Sequence, residues 1–516
     1  MRETPRPFSA EGRRANLADL ASPAAAPLDV LVIGGGITGA GVALESVRRG
    51  YRVGLVEARD FASGTSSRSS KLVHGGFRYL AQGEVGLVRE ALQERKALRR
   101  LYPDLVKPLP FLLPVPPHVR ESLMLKVGLV TYDLLAADGG FPRHKRLSLE
   151  AAHRLAPALH RSDIRGAWHF YDGQTDDTRL TLRVLRQAAG AGALVANYAA
   201  VTSAQKRGED WLVDVRDATS GAALQVSARY VVNAAGVWAE EIEGMAGRPP
   251  RFHLAPSKGV HLSLSALDLP IDVALVFPTG DGRVLFAVPW HGYVVVGTTD
   301  AEYHGDVVSP DCTPEEEATV LRAVNRFFGL DLAHAAVRSR WAGVRPLVST
   351  GKARATKDLS RKPWIDVDDR GLVTVTGGKL TTFRRMAMDA VDLLPRRRAR
   401  LAETGSALAD AAAEVGEPAA GADQALPGRA GYTMADVARA CDEEMALELE
   451  DALSRRLRLS FVDAVAAWQA APAVARVMAE KLDWTAVEPH IEKFREHLQK
   501  EFGMATEELH LAVTGS

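Results

Sequence analysis

The sequence predicts an α/β fold built on a strand–helix–strand unit, followed by a β-rich portion and closed by a helical C-terminal domain. Three observations carry this expectation. An apolar run, a glycine-rich turn, a helical pattern and a second apolar run follow one another from Asp29 to Glu57. Short β-rich runs recur between about Pro250 and Arg340. From Met434 onward, apolar residues return at helical spacing. At 516 residues the chain exceeds what one hydrophobic core organises, so two or three domains are expected, with interior enough to bury a large ligand.

Residues 1–27 mix several arginines with Glu3, Glu11 and Asp19 and contain no apolar segment, which reads as a flexible arm rather than a secretory signal. Asp29–Ile33 reads as a buried strand. It runs directly into Gly34-Gly35-Gly36-Ile37-Thr38-Gly39, a GxGxxG sequence at a strand-to-helix junction. A helical pattern through Val42, Leu44 and Val47 stops at Gly50, and Arg52–Val56 reads as a second buried strand ending in Glu57. Together these form a Rossmann-like βαβ unit. Gly34 permits the tight turn, Gly36 lets the backbone approach a pyrophosphate, and Gly39 lets the helix pack on the strand. The helix N-terminus then faces the phosphates. Glu57 lies eighteen residues beyond Gly39, where a carboxylate can accept hydrogen bonds from both ribose hydroxyls and would repel a 2′-phosphate. That disfavours NADP.

NAD and FAD share this fingerprint. Two later glycine-rich strand ends, Tyr230–Gly236 and Gly371–Thr382, suggest one extended ligand that gathers contacts from distant stretches, as FAD would. Composition agrees with a globular cofactor protein: 47% hydrophobic, 25% charged. Sixty-four basic residues balance sixty-four acidic ones, so no overall field favours nucleic acid, and an anion needs a local cation cluster. Cys312 and Cys441 form no CxxC pair, which points away from a disulfide framework, a thiol redox motif or a zinc site and toward a reducing, cytoplasmic compartment. The uncharged stretch Val30–Leu44 is shorter than the roughly 20 apolar residues of a membrane span, so any membrane contact is expected to be peripheral.

Beyond Glu57 stands Gly64-Thr-Ser-Ser-Arg-Ser-Ser-Lys-Leu-Val-His-Gly-Gly-Phe-Arg-Tyr-Leu80. There follow Val231–Ala239, Lys258–His261, Gly297–Asp300, Gly343–Leu347, Leu359–Lys362 and Gly377–Arg384. In this order the segments closely resemble the FAD-dependent glycerol-3-phosphate dehydrogenases, over most of the chain from about Asp29 to Arg385. The resemblance implies the glycine/D-amino-acid-oxidase-like architecture, α/β plus α+β, in which a Rossmann-like FAD domain is interleaved with an antiparallel-sheet substrate domain. It also implies oxidation of sn-glycerol 3-phosphate to dihydroxyacetone phosphate, with electrons passed to a membrane quinone. A flavin oxidase that gives its electrons to oxygen is the rival within the same substrate class.

For cofactor contacts the resemblance adds Thr65, Ser66, Ser67, Ser69, Ser70, Lys71, His74, Gly75, Gly76, Ala235, Gly236, Trp238, Gly378, Lys379, Leu380, Thr381 and Thr382 to the fingerprint residues and Glu57. The serine cluster would supply hydroxyl and amide donors to the FAD phosphates, and His74 would lie against the flavin. Around the substrate it places Arg78, Tyr79, Arg361 and Thr381, with His261, Arg345 and Lys379 as catalytic candidates. This set has direct chemical sense. A phosphomonoester is close to doubly negative, and guanidinium forks bind it bidentately, so Arg78 and Arg361 are the expected clamp, assisted by Tyr79 and Thr381. The carbinol must lose a hydride and a proton, so a basic or positive group beside its oxygen lowers the barrier. Among His261, Arg345 and Lys379 the base stays open, with His261 the first choice on its ordinary pKa.

The expected boundaries are 28–115 and 165–245 for two parts of the FAD domain and 116–164 for a substrate-domain or membrane-contact segment. Residues 246–340 should form the substrate domain, 341–395 a closing FAD and active-site segment, 396–430 a linker, and 431–516 a helical domain. Within the last, helices are expected over Met434–Arg455, Phe461–Gln469, Val474–Leu482 and Val487–Glu501. Val119–Ala137 carries many apolar residues with Arg120, Lys126 and Arg143–Arg146 nearby. It suits either a membrane surface or a core-facing helix. Arg396–Arg400 is a second basic run that could meet anionic lipid. The expected partners are glycerol 3-phosphate, a quinone and the inner face of the cell membrane, with a homodimer left open.

Overall fold

The computed structural model describes residues 6–22, 26–115, 119–136, 140–159, 164–279, 283–349, 362–395, 425–426 and 431–509. Two sheets organise these residues. In the first, the strands Leu28–Ile33, Val53–Val56, Leu194–Ala196, Ala223–Asn233 and Leu372–Gly377 run parallel, and Pro363–Val367 adds an antiparallel edge. Every residue of Leu28–Ile33 and Val53–Val56 is buried, which is why these strands read as continuous apolar runs: helices cover one face, and Val201, Trp211 and Val213 of two antiparallel strands, with Leu17 and Ile242, cover the other. The Ile37–Arg48 helix packs against Asp177–Gly190 and Phe383–Asp392. An antiparallel extension, Ala199–Arg207 with Asp210–Asp217, pairs onto Ala223–Asn233.

The second sheet has ten strands, all antiparallel except where Ala274–Pro278 runs beside Lys107–Pro114. Its spine is His253–Ser265, flanked by Tyr293–Gly297 and by Val337–Ser349. The expected helix over 314–328 is present, started by a Thr313–Glu316 capping box and Pro314 and stopped at left-handed Gly329. The Rossmann-like unit, the second, largely antiparallel sheet and the helical C-terminus thus form the interleaved architecture.

Several boundaries shift. Lys107–Pro114, Ala167–Gln174 and Val337–Ser349 all belong to the second sheet, although the sequence reading put 107–114 and 167–174 with the FAD domain and began a separate closing segment at 341. Strand pattern reveals burial but not which sheet receives the strand. Residues 10–20, expected within a flexible arm, form a helix docked at the Leu194–Ala196 edge. Buried Arg13 donates to Asn197 O (2.8 Å) and Asp217 Oδ1 (2.5 Å), and Asn16 Nδ2 donates to Val195 O. Polar anchors of this kind leave no apolar periodicity to read. In the helical domain, Met434–Glu444 ends at left-handed Met445, where a helix to Arg455 was expected, and a π-helical turn covers Asp451–Arg456. Ala464–Leu482 continues through Pro472 as one helix where two were expected. The Arg396–Arg400 run and most of the expected linker lie outside the described residues. Cys312 and Cys441 are free and buried, and burial pushes both thiols up to about 12.

Candidate active site

A cavity of about 1450 Å³ is lined from both sheets, larger than the ~300–1,000 Å³ of common small-ligand sites. Gly34, Gly36, Ile37, Thr38 and Glu57 of the fingerprint contribute to its wall. Gly34 has φ +114, and a Cβ there would stand 2.6 Å from Ala234 O. Gly39 lies off the wall, packed so closely that a Cβ would meet Gly34 O at 1.9 Å. Gly35 is also off the wall: its N–H donates to Glu57 Oε2 at 2.6 Å, while Glu57 Oε1 accepts from Arg59 N at 2.9 Å. Burial raises the Glu57 carboxyl against the opposing pull of these two amides. Each oxygen keeps a further lone pair for a hydroxyl.

Thr65, Ser66, Ser69, Ser70, His74 and Gly76 line the cavity, as do Ala235, Gly236, Trp238, Gly378, Lys379, Leu380 and Thr381. Four expected contacts stand behind the wall. Ser67 is buried, and Lys71 is fully buried with its Nζ 2.9 Å from Asp177 Oδ2. Gly75 donates its N–H to Asp172 Oδ1 at 3.0 Å, and Thr382 is buried beneath its neighbours. These residues hold the wall in place. Asp172 is itself fixed by Arg95 (2.7 Å) and by the Tyr132 hydroxyl (2.8 Å), so the His74–Gly76 turn hangs on a buried polar cluster.

Of the substrate and catalytic candidates, Arg78, Tyr79, His261, Arg345, Lys379 and Thr381 all reach the same cavity. Arg361 lies outside the described residues. Lys379 Nζ sits 4.0 Å from the Tyr79 ring centroid, and the Arg78 guanidinium carbon 5.9 Å from the same ring. Thr381 Oγ1 donates to His74 O at 3.2 Å. Arg345 Nη2 donates to Thr298 Oγ1 at 2.9 Å and reaches Thr299 O. Antiparallel register explains its position: Ser257 faces Arg345, Gly259 faces Gly343 and His261 faces Trp341. Gly259 leaves the space that the Arg345 fork needs, because a Cβ there would come within 2.6 Å of Nη2. His261 stacks on Trp341 (5.3 Å, 10°), and its Nε2 lies 2.9 Å from Ser70 Oγ. Burial, then the positive charges of Lys71 and Arg345, hold its pKa well below 6.5, so the imidazole is neutral.

The sequence reading missed Arg59, whose guanidinium lies 4.7 Å over the Trp238 ring. It also missed Gly259, Thr298 and Thr299, although Gly297–Asp300 was among the segments it singled out. Asp172 and Asp177 could not be found, because a buried carboxylate that binds backbone amides sits in no local motif.

The wall accepts an extended dinucleotide. Gly36 would point a Cβ toward Ser66 Oγ at 3.1 Å, so the backbone is bare where a pyrophosphate would approach. Residues 29–393 match the family model described as FAD dependent oxidoreductase, and residues 406–488 match the C-terminal domain of alpha-glycerophosphate oxidase. The chain is 38% identical over 503 residues to glycerol-3-phosphate dehydrogenase 2 of Mycobacterium tuberculosis, covering 89% of this chain and 86% of the relative. It is 37% identical over 378 residues to the aerobic glycerol-3-phosphate dehydrogenase of Staphylococcus epidermidis, covering 72% of this chain and 67% of the relative. Among solved structures, the glycerol-3-phosphate dehydrogenase from Bacillus halodurans complexed with FAD superposes with a TM-score of 0.73 at 28% identity, over 96% of this chain and 98% of that one.

Proposed function

This chain belongs to the FAD-dependent glycerol-3-phosphate dehydrogenases, and from that premise we propose that it oxidises sn-glycerol 3-phosphate to dihydroxyacetone phosphate and hands the electrons to a membrane quinone. The observation that carries the substrate reading is that Arg78 and Lys379, both placed over the Tyr79 ring, line the same cavity as Arg345 in a chain of zero formal net charge. The Gly34–Thr38 turn, Glu57, Thr65, Ser66, Ser69, Ser70 and Gly378–Thr381 would hold FAD, which when bound would supply the hydride acceptor. Arg78, with Arg361 from its motif, binds the phosphate; Tyr79 and Thr381 assist. Arg345 and Lys379 offer positive charge to the substrate oxygen that loses its proton.

His261 is the base we favour. Its neutral ring can accept that proton, and an incoming phosphate dianion raises its basicity by offsetting Lys71 and Arg345. Ser70 orients the ring through Nε2.

The quinone reading draws on the Val119–Ala136 helix. Leu123, Met124, Val127, Val130 and Leu134 are exposed on it, while Leu129 and Tyr132 are buried against the body. Lys126 on the helix and Arg143, Lys145 and Arg146 nearby are exposed cations, a combination that suits an anionic lipid surface. Among the described residues no helix is long and apolar enough to cross a membrane, and the attachment we propose is peripheral. Leu123 and Val127 also reach the cavity, which brings the apolar face to the reaction site. The test is anaerobic: glycerol 3-phosphate should bleach the flavin absorbance and glycerol should not, and equal bleaching by both would defeat the phosphate-clamp reading.

A further inference from the structure

The segment from Asp60 to Lys71 forms much of the cavity wall on one side, and on its other side it is held by the C-terminal helical domain. At its start, Asp60 is fully buried and accepts from Arg455 Nε (2.5 Å) and from Arg456 Nη1 (2.5 Å) and Nη2 (2.8 Å). Both arginines come from the single π-helical turn Asp451–Arg456, a feature often found where a helix serves function rather than packing. At the other end of the segment, Arg458 Nη2 donates to Ser67 O at 2.9 Å and to Asp177 Oδ1 at 3.0 Å. Asp177 also accepts from Lys71 Nζ, from Ser69 N (3.1 Å) and from Ser69 Oγ (2.7 Å). Within the second grip, Arg68 pairs with Glu501 of the last long helix at 2.7 Å.

Lys71 and Arg458 are both non-glycine residues in the left-handed region, at φ 61 and 63. Such conformations persist only where the surroundings over-determine them, and here each side chain spans the same carboxylate. The chain therefore spends three arginines and a glutamate of its C-terminal domain on the rear of one loop. That loop's front presents Thr65, Ser66, Ser69 and Ser70, and Ser70 in turn touches His261.

We propose that the C-terminal helical domain is a positioning element of the flavin site, with Arg458 as its principal residue, so that docking of this domain and binding of FAD are thermodynamically coupled. The coupling rests on the assignment of the cavity to FAD. Coupled binding is reciprocal: whatever the domain contributes to flavin affinity, the flavin returns as order in the domain.

Flavin-free protein titrated with FAD tests both directions, with the dissociation constant read from flavin fluorescence. Arg458→Met should weaken FAD binding on the order of tenfold, and Arg458→Lys should recover part of the loss. FAD added to the wild-type apoprotein should slow amide exchange over residues 447–462. Because removing one partner of a buried ion pair can unfold a protein, Glu501→Gln serves as the second variant. It weakens the hold on buried Arg68 from the partly exposed end of the pair, leaving Arg68 its bond to Val308 O, and should weaken FAD binding in the same direction without loss of the fold. A purely structural role would lower the melting temperatures of apoprotein and holoprotein alike and leave the FAD dissociation constant in place. Unchanged FAD affinity in the folded variants, or exchange over 447–462 that ignores FAD, overturns the coupling. A wild-type protein that takes up no FAD instead removes the cofactor assignment itself, and the coupling with it.

Discussion

Ser70 Oγ lies 2.9 Å from His261 Nε2, and this contact joins the loop expected to hold the cofactor to the residue expected to accept the substrate proton. Burial and the neighbouring Lys71 and Arg345 charges keep His261 neutral well below pH 6.5. Its folded pKa is depressed, so its contribution to stability is complete above about pH 6.5 and is lost as the pH falls toward the folded value, where only the unfolded chain takes up the proton. For catalysis the same sign holds. The acid limb of kcat/KM should lie below pH 6.5 rather than at it, and His261→Asn should lower kcat by ~10²–10⁴-fold and abolish that limb. A variant that keeps the limb would move the base to Lys379 or Arg345.

Arg78 is exposed at the cavity, with no ion pair among the described residues that the fold depends on. Arg78→Ala should therefore leave the melting temperature and FAD content near wild type while raising KM for glycerol 3-phosphate. Loss of one charge-assisted contact costs about 1.5–3 kcal/mol, roughly a 10- to 150-fold fall in kcat/KM. Steady-state kinetics with purified holoenzyme measures this, and an unchanged KM would remove Arg78 from the clamp.

Two fingerprint glycines should fail in different ways. Gly36 has an ordinary φ of −77 and only a 3.1 Å approach to Ser66 Oγ, so Gly36→Val should fold yet purify without the yellow flavin spectrum. At Gly39 a Cβ would overlap Gly34 O at 1.9 Å, so Gly39→Val should lose the fold itself. Circular dichroism beside visible absorbance separates the two outcomes; a flavin-loaded Gly36→Val protein would contradict the pyrophosphate approach.

How much of this was legible follows from where each signal lies along the chain. The Leu28–Val56 unit was readable because turn, helix and buried strands are local and each residue type has one physical use. His261, Arg345 and Lys379 were readable only through motifs, since nothing local says that antiparallel register sets Ser257 opposite Arg345. Lys71 was misread as a cofactor contact because its neighbour Ser70 does face the cavity. Its own side chain turns away at positive φ to meet Asp177, a hundred residues on. The docked helix at residues 10–20 was invisible for a related reason: it is anchored by Arg13 and Asn16, and polar residues in an N-terminal segment read as solvent-exposed.

The electron acceptor supplies the last prediction. An exposed apolar face at Leu123, Val127 and Leu134, flanked by Lys126 and the 143–146 cations, exposes more apolar surface in one place than scattered surface residues do, and its Leu123 and Val127 reach the cavity wall. If this face rests on lipid, the protein should sediment with vesicles containing anionic lipid and should release partly in high salt, because screening shortens the reach of the cations. Leu123→Ser and Leu134→Ser should each weaken sedimentation, and Leu134→Ser, at an exposed side chain that does not line the cavity, should leave flavin reduction by glycerol 3-phosphate intact. Turnover with a quinone analogue should then greatly exceed peroxide formation in air. One peroxide released per substrate at a comparable rate would make the protein an oxidase, and vesicle binding indifferent to both leucines would leave the helix without a lipid role.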